Sequence, residues 1–251
     1  MASAPRFSWR LAIVVAIAML ATVAARWPLA WTTRWLPASV ACLRPAGTLW
    51  SGRCGSLTIE GLPLGDTAWK VRLLPLLRGT LAAAITSRQA ADHLSGDIEV
   101  RPDGRRILRD VDASLTLGTG LLARNPMGLS GQLQARFVRV ELHARRVQDL
   151  AGTATVRQLA QGATALGDYE IRFPEIAAAG NGTEALKGEL RDVGGPLGVT
   201  GTITLTDDPG YVVEGFVAPR ADASPQLARQ IAFLGTPDAQ GRRPFSIAGS
   251  Y

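Results

Sequence analysis

The sequence predicts a mainly β protein: an N-terminal transmembrane helix, then an elongated antiparallel β-sheet domain with one short C-terminal helix. Three observations predict it. Apolar and polar residues alternate with period two along most of the chain after the first thirty residues. The 27 glycines and 15 prolines fall mostly between those runs, as the turns of many short strands require. One uncharged apolar run, Leu11 to Ala25, stands apart near the N-terminus. With 47% hydrophobic and 19% charged residues, the 251-residue chain can build a core and is not a disordered polymer.

The first element is the apolar run, marked by Leu11, Val15, Leu20 and Ala25. Its 15 residues rise about 22 Å as a helix, short of the roughly 30 Å hydrocarbon core of a bilayer. Phe7 and Trp9 before it, and Trp27, Leu29 and Trp31 after it, lengthen the span. Arg10 can snorkel to headgroups. Trp9, Trp27, Trp31 and Trp35 are placed to form interfacial belts, and Pro28 to terminate the helix. This reading makes residues 1–8 a short tail, 9–30 a signal-anchor and 31–251 an exported β-rich domain. A cleaved signal peptide ending at the small residues Ala24 and Ala25 is the competing reading. Both export the chain beyond about residue 30.

Charge supports the division. The formal net charge is +6 and the isoelectric point about 10.1, which invites a nucleic-acid reading. Six of the 27 basic residues precede the first acidic one, Glu60; the remaining 21 match 21 acidic residues. The excess therefore flanks the apolar run, and the rest of the chain is neutral, which argues against a nucleic-acid surface. Cys42 and Cys54 suit an exported compartment and can close a small loop; two unrelated buried thiols are the alternative.

The strands follow in order. Trp69, Val71 and Leu73 share one face of Thr67–Leu73. In Arg109–Leu117, Val111, Ala113, Leu115 and Leu117 alternate with Asp110, Asp112, Ser114 and Thr116. In Gln132–Ala144, Val138, Val140 and Leu142 alternate with Arg139, Glu141 and His143. Tyr169, Ile171 and Phe173 alternate with Glu170 and Arg172; Thr202–Thr206, Tyr211–Val217 and Phe245–Ile247 continue the habit. Each reads as a strand with one oily and one wet face. Arg145–Gln161 is ambiguous, with Gly152, Thr153, Thr155 and Val156 favouring strand. Asp103-Gly104 reads as a hairpin turn. The one helix in this part has Ser224 as N-cap, Pro225 at its first position, Leu227, Ile231 and Leu234 at helical spacing, and Gly235 as its stop. Residues 126–133 and 196–203 match at an offset of 70. If this is a repeat, two similar sheet units lie side by side; a chance match in a Gly-rich chain is the other reading.

No catalytic constellation emerges, and the chain reads as a non-enzyme without cofactor or metal. His93 and His143 lie in alternating strand patterns and read as solvent-facing. Ser51 and Ser130 lack a nucleophile elbow, and Lys70 and Lys187 end no Gly-rich loop. Asp110/Asp112 and Asp207/Asp208 read as a wet face and a turn, and Asn181-Gly182-Thr183 as an Asn-Gly turn or a glycosylation acceptor.

Several scattered segments carry a resemblance. Gly47-Thr48-Leu49-Trp50-Ser51-Gly52 and Trp69 form the first group, and Gly167-Asp168-Tyr169 the second. Gly195-Pro196-Leu197, Gly201, Tyr211 and Gly235 form the third, embedded in Gly188–Leu197 and in Leu227–Arg242. In order and spacing the set resembles the type II secretion system protein N family. The resemblance implies a single-pass subunit of the inner membrane with its bulk in the periplasm, partnered by other inner-membrane subunits of the secretion apparatus. It implies a non-catalytic, accessory role in exporting folded proteins across the outer membrane. The family is also similar at the level of fold to AsmA-like proteins, whose curved sheets carry lipid on an oily concave face. That similarity implies a curved sheet here and a periplasmic lipid-binding or lipid-transfer groove as the alternative function.

Overall fold

The computed structural model describes residues 9–32, 37–118, 128–144, 146–175, 185–206 and 210–250. Trp35, Pro126, Met127, Asn181–Thr183 and the Asp207/Asp208 pair lie outside them. The chain divides into two compact units, Met1–Val71 and Arg72–Tyr251. Thirteen strands fall in an order identical to chain order, an antiparallel meander.

The first unit holds α1 (Trp9–Ala25), α2 (Leu29–Thr32), β1 (Val40–Gly47), β2 (Ser51–Ile59) and β3 (Leu62–Arg72). The segment read as a signal-anchor over 9–30, with Pro28 as its terminator, forms two helical pieces. α1 has 17 residues and rises about 26 Å; among the described residues no helix is long and apolar enough to cross a membrane. The break falls at Arg26–Pro28. Proline disfavours helix in the residue before it and cannot donate to the ladder, and Pro28 bridges Thr48 instead. Among its described side chains the large apolar ones are exposed: Trp9 is 78% exposed, Val15 58% and Leu20 69%.

β1 and β2 form a hairpin in which Leu43 faces Ser56, Pro45 faces Cys54 and Gly47 faces Gly52. The Cys42–Cys54 disulfide links them, with Cα atoms 5.5 Å apart and Cys54 fully buried. Cys42 and Pro45 are an odd number of positions apart, which in a regular strand places them on opposite faces. Arg44, at φ 54, interrupts the alternation between them. β2 returns into β3 through Glu60 and Gly61, at φ 51 and 79, the left-handed pair that a two-residue hairpin turn requires.

The second unit opens with α3 (Leu73–Leu76) and continues through β4 (Leu81–Gln89), β5 (Asp92–Val100), β6 (Arg106–Leu117), β7 (Leu129–His143) and β8 (Arg146–Gln161). Then come β9 (Thr164–Phe173), β10 (Lys187–Gly194), β11 (Leu197–Thr206), β12 (Gly210–Pro219), α4 (Pro225–Ala232) and β13 (Arg243–Ser250). Leu73, expected to end a strand, starts α3, because Pro75 cannot extend the ladder. Arg146–Gln161, ambiguous in the sequence, is a 16-residue strand.

The registers turn the alternation into a two-faced sheet. One cross-strand row runs from β5 to β13 through Leu94, Ala113, Ala135, Ala154, Ile171, Leu190, Gly201, Gly215 and Phe245. The adjacent row runs through Ser95, Asp112, Arg136, Thr153, Arg172, Glu189, Thr202, Glu214 and Ser246. The first is wholly apolar or small and the second wholly polar, so neighbouring side chains go to opposite faces across nine strands. On the wet face Arg136 pairs with Asp112 at 3.0 Å and Arg191 with Glu170 at 2.6 Å.

α4 covers part of the oily face. Leu227 and Ile231 are buried with Leu197, Val199 and Val217, and Leu166, Tyr169, Leu190 and Phe245 pack around them. The Ser224 hydroxyl accepts from the Leu227 N–H at 3.2 Å and caps the helix. Leu234, expected on the buried face, lies beyond the helix and is exposed; Gly235 follows at φ 109. The two segments offset by 70 both open long strands, β7 and β11. Their glycines differ: Gly128 and Gly131 have φ 61 and 153, whereas Gly198 and Gly201 have no left-handed backbone.

Candidate interaction sites

The first site is the turn between β1 and β2. Gly47 at φ 86 leads into it, and a Cβ on Gly47 would stand 2.5 Å from the Ser51 carbonyl oxygen. Thr48 donates its N–H to Ser51 O at 2.9 Å, and its hydroxyl accepts from the Ser51 N–H at 3.2 Å. Leu49 joins three segments. Its N–H donates to Trp27 O at 3.1 Å, and its carbonyl accepts from the Trp69 indole Nε1–H at 3.0 Å. Gly52 makes room for the Trp69 ring, since a Cβ there would lie 2.5 Å from it. The Trp50 carbonyl accepts from the Val71 N–H at 2.7 Å. Gly47, Leu49, Trp50, Gly52 and Trp69 thus form one knot. Trp27, expected as a belt residue, is half-buried and packs edge-to-face on the exposed Trp31, ring centroids 6.0 Å apart.

The second site gathers the motif residues of the second unit. Tyr169 faces Asp192 across β9 and β10, and Asp168 faces Gly194. The backbones close in at Gly167 and Gly195, where a Cβ on Gly167 would lie 2.6 Å from the Gly194 carbonyl oxygen. The Tyr169 hydroxyl donates to Leu166 O at 2.5 Å. Burial pushes its phenol up to about 12; the Asp192 charge adds to the shift and Arg220 opposes it. Arg220 pairs with Asp192 and also donates to Gly195 O at 3.1 Å, and its N–H donates to Pro196 O at 2.8 Å. Asp168 accepts from the Gln158 N–H at 2.7 Å, where β8 bulges at φ 52, and Asp192 accepts from the Val199 N–H at 2.9 Å. The two aspartates therefore satisfy backbone groups that the bulged ladder leaves unpaired. Leu197 is buried beneath α4, and the Tyr211 ring lies over Gly249. Gly201 faces Gly215, and Gly235 accepts from Arg243.

Two groups escaped the sequence reading. Glu141, expected on the wet face, is buried. It pairs with Arg139 at 2.5 Å and with Arg105 at 3.3 Å, and Ile107 opposite it is fully buried. The hydrogen bond from Arg139 holds its carboxyl below the ordinary range against the opposing effect of burial, and Arg105 adds to this. A polar letter in an alternating strand marks the wet side, and nothing local says that two arginines fold over it. The other group is Arg44, Arg53 and Asp66, described below. Both histidines are half-buried instead of solvent-facing, and His143 Nδ1 has no hydrogen-bond partner. Among the described residues no group of three or more His, Cys, Asp or Glu could hold a metal.

A disulfide-closed hairpin and a two-faced meander with tightly knotted turns define a β-sheet scaffold. The sequence model described as "Type II secretion system (T2SS), protein N" matches residues 38–246, nearly the whole β region. The chain belongs to that family. It is similar to the type II secretion system protein N of Vibrio cholerae, 27% identical over 81% of this chain and 82% of the relative. The Aeromonas hydrophila protein of the same name is 26% identical over the same shares. The Klebsiella pneumoniae one is 27% identical over 82% of this chain and 81% of the relative. No solved structure matches the chain.

Proposed function

We propose that this chain is a non-catalytic accessory subunit of the type II secretion system, held at the inner membrane by α1, with its β units in the periplasm. The observation that carries the reading is the family match over residues 38–246, which includes both knotted sites. α1 supports the tether: its large apolar side chains, among those described, are exposed, as a lipid environment favours. Its 17 residues are accommodated by local bilayer thinning and by the flanking tryptophans. The disulfide suits an oxidising compartment. Docking of other subunits uses the backbone edge of β13, which among the described residues pairs with β12 alone. Co-purification of the detergent-solubilised chain with inner-membrane secretion subunits, and weaker secretion on deletion, are the expected results. Purification alone, with secretion intact, would sink the reading.

One observation favours a second reading. The oily row spans β5 to β13, whereas the eight residues of α4 reach about 12 Å along it. An apolar face of that extent suits acyl chains, and native mass spectrometry of the gently extracted protein would show bound lipid. Lipid-free protein at full occupancy of the native fold would remove this reading.

A further inference from the structure

We infer that a cleft beside Arg44 binds the phosphate of an anionic phospholipid headgroup. The inference rests on the reading that α1 sits in the membrane. The cleft, about 270 Å³, is lined by Arg44, Ala46, Arg53, Gly55 and Asp66. Its two arginines are not equivalent. Arg53 is spent on Asp66, with Nε 2.8 Å from Oδ1 and the second nitrogen on Oδ2. Arg44 forms no ion pair among the described residues, so the cleft keeps one positive charge unmatched.

The Arg44 backbone is held in place. It sits at φ 54 inside a strand whose pairing is unbroken on either side, Leu43 with Ser56 and Pro45 with Cys54. A left-handed non-glycine residue within a strand is costly and persists only where its surroundings impose it. The Cys42–Cys54 disulfide spans this position. The guanidinium lies on Gly55, where a Cβ would stand 3.0 Å from Nε and 3.2 Å from Cζ. Glycine is therefore what permits this pose. A guanidinium fork suits a phosphate, which takes two parallel N–H donors.

Position selects the source of the phosphate. Leu49, in the turn at the end of β1, is hydrogen-bonded to Trp27, two residues beyond the last residue of α1. Arg44 lies three residues back from Gly47, about 10 Å along the strand. The headgroup layer is roughly 5–8 Å deep on each side of the hydrocarbon core. With α1 in the bilayer, the proposal places the long Arg44 side chain at the level of the headgroup phosphates.

The test uses the full chain reconstituted into vesicles of phosphatidylcholine alone or mixed with phosphatidylglycerol, read by flotation and by native mass spectrometry of retained lipid. Wild type should retain phosphatidylglycerol preferentially, and Arg44→Gln should lose about tenfold of that preference while still floating. Gly55→Ala, which pushes the guanidinium aside without changing charge, should show the same loss. Peptide mapping of the Cys42–Cys54 link controls for folding. An unchanged lipid preference in both variants overturns the site, as does inorganic phosphate displacing the lipid at equal concentration. Failure to float with either vesicle overturns the membrane reading of α1 instead, so the two failures are distinguishable.

Discussion

The indole of Trp69 donates its N–H to the carbonyl of Leu49 at 3.0 Å, twenty residues back along the chain. The same Leu49 donates to Trp27, so one turn residue ties the segment after α1 to β3. The Trp69 ring fills the space that Gly52 leaves open. Trp69→Phe keeps most of the ring and removes the donor, leaving the Leu49 carbonyl without this partner. We expect a loss of about 1 kcal/mol in urea denaturation. An unchanged midpoint would mean that water replaces the indole at no cost.

Reduction of Cys42–Cys54, or replacement of both by serine, releases a loop closed over 12 residues. The loop-entropy relation gives a destabilisation of about 3 kcal/mol. Denaturation with and without reductant measures it, and non-reducing peptide mapping checks the linkage.

Gly201 and Gly215 face each other in the oily row. A Cβ on Gly201 would stand 2.5 Å from the Glu214 carbonyl oxygen, and backbone cannot swing aside as a side chain can. Gly201→Ala should cost about 1–3 kcal/mol. Gly198→Ala in the same strand meets nothing nearer than 3.7 Å and should stay within about 0.5 kcal/mol. Equal thermal shifts for the two would refute the close approach.

Glu141 sets an acid limit. Its carboxyl is held below its ordinary value by Arg139 and Arg105. A depressed folded value contributes stability that is present above the unfolded value, near 4.3, and is lost as pH falls through the folded one. Glu141→Gln should flatten stability against pH below about 4.5. A slope identical to wild type in that window would place the acid sensitivity elsewhere.

Tyr169 sets an alkaline one. Burial raises its phenol to about 12, above the unfolded value of about 10. Its contribution is intact below the unfolded value and is lost as pH rises from about 10 towards 12. Absorbance titration of Tyr169→Phe against wild type should remove a phenol that titrates at about 12. Loss of an earlier one would contradict the burial.

The alternation that makes a strand two-faced is local, because successive side chains point to opposite sides whatever the partner strand. Val111, Ala113 and Leu115 against Asp112 and Ser114 could therefore be read without a structure, and the registers bear it out. The α4 cap was legible for the same reason: Ser224 and Pro225 act within one helical turn. What lay beyond local reach was pairing. Ala113, Ala135 and Ala154 carry no mark that puts them in one row, and Tyr169 carries none that sets it against Asp192 and Arg220. Pairing depends on bulges at Asp110 and Gln158, each of which shifts register by one residue and flips every side chain beyond it. The apolar run at the N-terminus was evident from hydropathy alone. The helix break at Pro28 was expected, but the bridge to Thr48 there was not, because it needs a strand turn twenty residues further on. Composition and period thus determined the two-faced alternation of each regular stretch. Tertiary structure alone decided which of them meet, because contact between distant segments is set by register and turn geometry that no short window contains.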